Sequence, residues 1–131
     1  MLGRDGVVKF LARPSSGATH DADSFLLAAT EVAQGLLEFT HSDVNDLLIE
    51  MSALGVNKGT GLALLAQSRG WSASDVAAVG DMPNDVPMVQ WAGRGAAVDN
   101  AHDWVKAVAD EHVPSNDEHG VAVFIERLLN S

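Results

Sequence analysis

Ala77-Ala78-Val79-Gly80-Asp81-Met82-Pro83-Asn84-Asp85 is the most informative stretch of this sequence. Val76 to Val79 form an apolar run too short for a helix, bounded by Asp75 and Gly80, and predict a buried strand. The strand runs straight into Asp81. Pro83 then forces a loop, and Asn84 and Asp85 arrive together. In open α/β sheets ligands bind beyond the carboxyl ends of the strands, where Asp81 stands. Two carboxylates four residues apart across a tight loop can converge on one hard cation. Magnesium suits such a pair, because it takes one or two protein carboxylates and completes its shell with water and phosphate oxygens. Asp81 and Asp85 serve equally well as turn and helix-cap residues, where Asp and Asn are common. Spacing alone leaves both readings open.

On either side of this stretch, helices and short strands alternate. Asn57 caps a predicted helix that runs to about Arg69, with Gly70 at its end. After Asp85 come a helix from Val86 to Trp91, a small-residue strand through Ala96, Ala97 and Val98, a helix from Ala101 to Ala109, and a last helix from Val121 to Leu129. This alternation predicts parallel strands covered by helices. The rhythm before Leu54 differs. Gly6 to Leu11 predicts a strand and Arg13 to His20 a loop. Ala22 to Gln34 is read as a helix, with Phe25, Leu26, Ala29 and Val32 at helical spacing and Gly35 as its stop. Leu36 to Thr40 and Leu47 to Met51 predict two strands of a hairpin around Ser42-Asp43-Val44-Asn45. The chain therefore divides into a β-rich part, residues 1–53, and an α/β part, residues 54–131.

Lys58 stands in the first turn of its predicted helix, where the macrodipole disfavours a cation by some tenths of a kcal/mol. A lysine held against that preference suggests a nearby anion, and the helix N-terminus itself favours phosphate. A solvated surface lysine is the simpler reading when the residue is taken alone. The net charge of -10 argues against a nucleic-acid partner and requires a cation to offset any phosphate that enters. No apolar run approaches the roughly 20 residues needed to cross a bilayer. With no cysteine there is no disulfide framework or thiolate metal site, and a cytoplasmic location is expected. The five histidines show no zinc-ligand spacing.

Together these segments resemble the haloacid dehalogenase superfamily, in particular its Cof-like branch of sugar-phosphate and related phosphatases. Gly55-Val56-Asn57-Lys58-Gly59 is similar to that family's third motif, and Gly80-Asp81-Met82-Pro83-Asn84-Asp85 to its fourth, Gly-Asp-x-x-Asn-Asp. Trp91-Ala92-Gly93, Ala97 to His102 and Ser115 to Val121 follow the family's run of segments, with Met82 and His119 as local departures. The resemblance covers Leu47 to Leu129 well and Gly6 to Asp46 more loosely. It implies an α/β fold: the C-terminal half of a Rossmann-like core over residues 54–131, preceded over 1–53 by part of an α/β cap. It also implies magnesium-dependent hydrolysis of a phosphate monoester of the sugar-phosphate type, with magnesium at Asp81 and Asp85. Lys58 would act as catalytic cation and phosphate ligand, and Asn84 as a second phosphate ligand.

Family members begin with a strand ending in Asp-x-Asp, whose first aspartate attacks phosphorus. Here Asp21-Ala22-Asp23 follows a loop of Pro14, Ser15, Ser16 and Gly17 and is better read as a helix N-cap. The chain alone is therefore expected to be inactive. The other readings are a truncated, non-catalytic fragment and a relative of the phosphoglycosyl mutases or sucrose phosphatases. In the family fold the strand ending at Asp81 has a neighbour that this reading leaves out. Self-association through that exposed sheet edge is expected, with a small phosphorylated substrate as the other partner.

Overall fold

The computed structural model describes residues 8–15, 21–33 and 35–131. The chain forms two compact units, Met1–Val56 and Asn57–Ser131.

The first unit holds β1 (Phe10–Ala12), α1 (Ala22–Val32), β2 (Leu37–Thr40) and β3 (Ile49–Ala53). The predicted hairpin is present: β2 and β3 pair antiparallel with Leu37 opposite Ala53 and Thr40 opposite Glu50. β1 pairs antiparallel with the other edge of β3, giving the order β1-β3-β2. The strand expected at Gly6 to Leu11 is described only from residue 8 and lies later, at Phe10–Ala12. Asp21 caps α1, its carboxylate accepting the Ser24 N–H at 2.7 Å. Ala22, Leu26 and Ile49 are buried, while Val32 at the far end of α1 is exposed.

The second unit contains α2 (Lys58–Arg69), β4 (Ala77–Gly80), α3 (Val86–Trp91), β5 (Arg94–Val98), α4 (Asp103–Val108), β6 (Glu111–Val113) and α5 (Gly120–Leu129). β4, β5 and β6 form a parallel sheet in that order, in register from Ala77 opposite Arg94 and from Ala96 opposite Glu111. β6 was not anticipated. Its residues, Glu111-His112-Val113, carry one apolar side chain and so lack the periodicity that marks a strand. The core gathers Val89, Ala96, Ala97, Val98, Ala101, Val105, Val113 and Phe124. The alanines of β5 are fully buried, and their small side chains let the flanking helices approach the sheet.

Two close approaches bring the ends of these elements together. Gly59, in the first turn of α2, lies so near Pro87 at the start of α3 that a Cβ on it would sit 2.6 Å from the Pro87 carbonyl carbon. Gly80, the last residue of β4, lies against Asp85, whose Cβ would be 2.5 Å from any Cβ at 80. Helix starts and strand end thus converge because two positions have no side chain.

Candidate active site

α2 begins as the sequence predicts. Asn57 Oδ1 accepts the Thr60 N–H at 3.0 Å, and the Asn57 N–H donates back to Thr60 Oγ1 at 3.1 Å, a reciprocal cap. This cap sets Lys58 at the first helical position, with its side chain 47% exposed. Its ammonium forms an ion pair with Oδ1 of Asp85. The anion that offsets the unfavourable helix-end position is therefore supplied by the chain itself.

Asp85 is 4% exposed and uses both oxygens. Oδ1 meets Lys58, and Oδ2 accepts the Asp81 N–H at 3.0 Å and the Met82 N–H at 3.2 Å. The loop after β4 folds back onto this carboxylate, with Pro83 opening a short 3-10 turn over residues 83–85. Burial pushes the Asp85 carboxyl up. The Lys58 ammonium and the two backbone N–H groups outweigh that and hold it below the ordinary carboxylate range.

Asp81 stands one residue past β4, as expected. Its carboxyl is shifted the other way. Burial raises it first, and the neighbouring Asp85 charge and carboxyl raise it further; Asn116 and Lys58 oppose the rise. Asn84 completes the group: among the described residues nothing donates to its buried Oδ1. The donors gathered here are all oxygens. A carboxylate pressed against another carboxylate, next to an unsatisfied buried amide oxygen, is a donor set that fits a hard divalent cation. An open groove of about 350 Å³ between α2 and α3, lined by Asn57, Thr60, Pro87, Gln90 and Trp91 among others, lies beside the cluster and includes none of its four residues.

The sequence reading did not single out Asn116, which lies in the 3-10 turn after β6, or Asn100, in the turn after β5. The signal available was position: both follow strands of the same parallel sheet as β4, at their carboxyl ends. With β6 unrecognised, Asn116 had no strand to follow. In the first unit, Asp23 is hydrogen-bonded to Nε2 of His41 at 2.8 Å, and Asp21 is occupied as a helix cap.

An oxygen-rich cluster at the carboxyl end of a parallel strand, with a lysine at a helix start, suits a phosphate held through a cation. Residues 7–125 match the haloacid dehalogenase-like hydrolase family, and the chain belongs to it. A 5-amino-6-(5-phospho-D-ribitylamino)uracil phosphatase of Bacillus subtilis is 43% identical over 93 residues, 71% of this chain and 36% of that protein. The phosphoglycolate phosphatase of Methanopyrus kandleri is 40% identical over 74 residues, 56% of this chain and 32% of its own length. The structure of a haloacid dehalogenase-like hydrolase from B. subtilis superposes with a TM-score of 0.76 at 30% identity, covering 92% of this chain and 40% of that one. This chain thus spans about a third of the length of the curated relatives it matches.

Proposed function

We propose that residues 57–131 form the metal- and phosphate-binding part of a magnesium-dependent phosphate monoester hydrolase acting on sugar-phosphate-type substrates. What supports this is the meeting of Lys58, Asp81, Asn84 and Asp85 at the end of β4, in a family whose named relatives above include two phosphatases. Asp81, whose carboxylate is not paired with a cation of its own among the described residues, is the proposed direct metal ligand. Asp85, with both oxygens engaged, serves the same ion from behind, by fixing the Asp81 backbone and Lys58. Bound magnesium would supply positive charge to the phosphoryl oxygens. Lys58 adds a second positive charge to the phosphoryl group and sits where a helix N-terminus already favours anions. Asn84, in the same loop between Asp81 and Asp85, is the proposed second phosphate ligand.

No attacking aspartate is assigned among the described residues, since Asp21 caps α1 and Asp23 bonds His41. Turnover of an aryl phosphate by the 131-residue polypeptide alone is therefore expected to be negligible. Robust turnover lost in Asp21→Asn would show that dismissal to be wrong. Magnesium binding is expected to be weak, abolished by Asp81→Ala and reduced by Asp85→Ala, as read by titration calorimetry. Undiminished binding in Asp81→Ala would end the metal assignment.

The same reading extends to assembly. Among the described residues β4 pairs only with β5, and its other edge, Ala77-Ala78-Val79-Gly80, carries neither charge nor proline. Such an edge recruits another strand, and a second copy of the chain is the proposed occupant. Light scattering coupled to size exclusion should find a dimer. A stable monomer at micromolar concentration would contradict it.

A further inference from the structure

The turn that follows β5 touches the loops after both neighbouring strands. On one side the His102 N–H donates to the carbonyl of Asp81 at 2.8 Å. On the other, Asn100 Oδ1 accepts the backbone N–H of Asn116 at 3.0 Å. That N–H opens the 3-10 turn Asn116–Glu118, whose own cap residue Ser115 makes no capping bond with its side chain. Asn100 thus satisfies the first N–H of that turn, for which a short helical turn offers no acceptor of its own.

The far end of the same loop is also fixed. His119 adopts a left-handed backbone at φ 60, and Gly120 is buried so close to Pro114 that a Cβ on it would sit 2.8 Å from the Pro114 carbonyl carbon. Held at both ends, the loop brings the Asn116 side chain into hydrogen-bonding contact with the Asp81 carboxyl. The ends of all three parallel strands are in this way laced together around one carboxylate.

We propose that Asn100 is a positioning residue for Asp81, acting through the Asn116 loop, so that the carboxylate is held in one orientation for its ion. This rests on the reading of Asp81 as the metal ligand. Asn100 itself touches neither ion nor substrate. Its contribution is to place the amide that steadies Asp81.

The test uses the 131-residue chain with magnesium alone as probe, and nitrogen-15 NMR without metal. Asn100→Ala and Asn116→Ala are each expected to weaken magnesium binding roughly fivefold, the effect of one lost net hydrogen bond. The double variant should be no weaker than either single one, because both remove the same link. Asn100→Asp, which keeps the accepting oxygen, should restore the slow exchange of the Asn116 N–H that Asn100→Ala loses. Without metal, the Asn116 side-chain amide signals should move in Asn100→Ala and also in Asp81→Ala. If Asn100→Ala does not fold, Asn100→Ser, whose hydroxyl is too short to reach, takes its place. Wild-type affinity in Asn100→Ala, additive losses, or an unmoved Asn116 amide would overturn the proposal. Magnesium binding that survives Asp81→Ala would instead refute the metal reading, and the metal-free amide signals would still decide whether Asn100 positions Asn116 against Asp81.

Discussion

Replacing Asp85 with alanine removes the acceptor for the Asp81 N–H, the Met82 N–H and the Lys58 ammonium in one step. The magnitude follows from where each partner goes. Lys58 is 47% exposed, so its charge returns to water and its pairing contributes at most about 1 kcal/mol. The two N–H groups are part-buried, and each left without an acceptor costs about 1–2 kcal/mol. Against this, alanine removes a buried charge and relieves its repulsion with Asp81. A net loss of about 2–4 kcal/mol is expected, near 10–20 °C in Tm for a unit of this size. Asp85→Asn keeps one accepting oxygen for the loop and should lose only about half as much. Lys58→Met should cost less than about 1 kcal/mol. Urea unfolding followed by tryptophan fluorescence suits the measurement, since Trp71, Trp91 and Trp104 all lie in the unit that contains Asp85. An Asp85→Ala variant within about 0.5 kcal/mol of the parent, or equal losses in Asn and Ala, would refute the assignment of Asp85 as the post that holds this loop.

Other outcomes follow from the same geometry. Gly59→Ala should destabilise by about 1–3 kcal/mol because its Cβ meets the Pro87 backbone. Gly61→Ala, two positions along the same helix in open space, should stabilise by up to about 1 kcal/mol; similar effects in the two variants would show that the α2–α3 approach is not tight. On acidification the two carboxylates act in opposite senses. Asp81 has a raised folded pKa, so its ionised form costs stability and protonation in mild acid relieves that cost. Asp85 has a lowered folded pKa, so its stabilisation is present above the ordinary carboxylate pKa and is lost as pH falls below about 4, through its folded value. Melting temperatures against pH should therefore stay level or rise slightly in mild acid and then fall. Asp81→Asn should remove the rise, and Asp85→Asn should flatten the fall; a monotonic decline common to all three proteins would count against both assignments.

How much of this was legible depended on how locally each feature is encoded. The strand into Asp81, the Asn57 cap, the Gly70 stop and the β2–β3 hairpin each rest on neighbouring residues, and each is found close to where the sequence places it. Lys58 was suspect because a cation at a helix start is out of place, and the structure shows its partner, which lies 27 residues away in sequence. β6 was missed because three residues with one apolar side chain carry no period, although the parallel sheet aligns them beside Ala96 to Val98. That omission hid Asn116 as well. The close approaches at Gly59 and Gly80 are equally silent in sequence, where a glycine in a helix or at a strand end reads as a weakness.

The division of labour between Asp81 and Asp85 comes from backbone geometry more than from residue type. Both are aspartates, Asp81 partly buried and Asp85 buried, and burial raises both. They part because the turn after β4 aims two N–H groups at Asp85 and none of the described backbone donors at the Asp81 carboxylate, while the α2 cap delivers Lys58 to Asp85 as well. Asp85 becomes a satisfied anion that holds the loop. Asp81 is left with a charge that burial disfavours and a carboxylate for neighbour. A carboxylate in that condition gains more from an incoming cation than one already paired, because the cation offsets both costs at once. Exchanging the two roles would take a different loop, since Asp85→Asn at the post and Asp81→Asn at the end of β4 should fail in different ways, the first in stability and the second in metal binding.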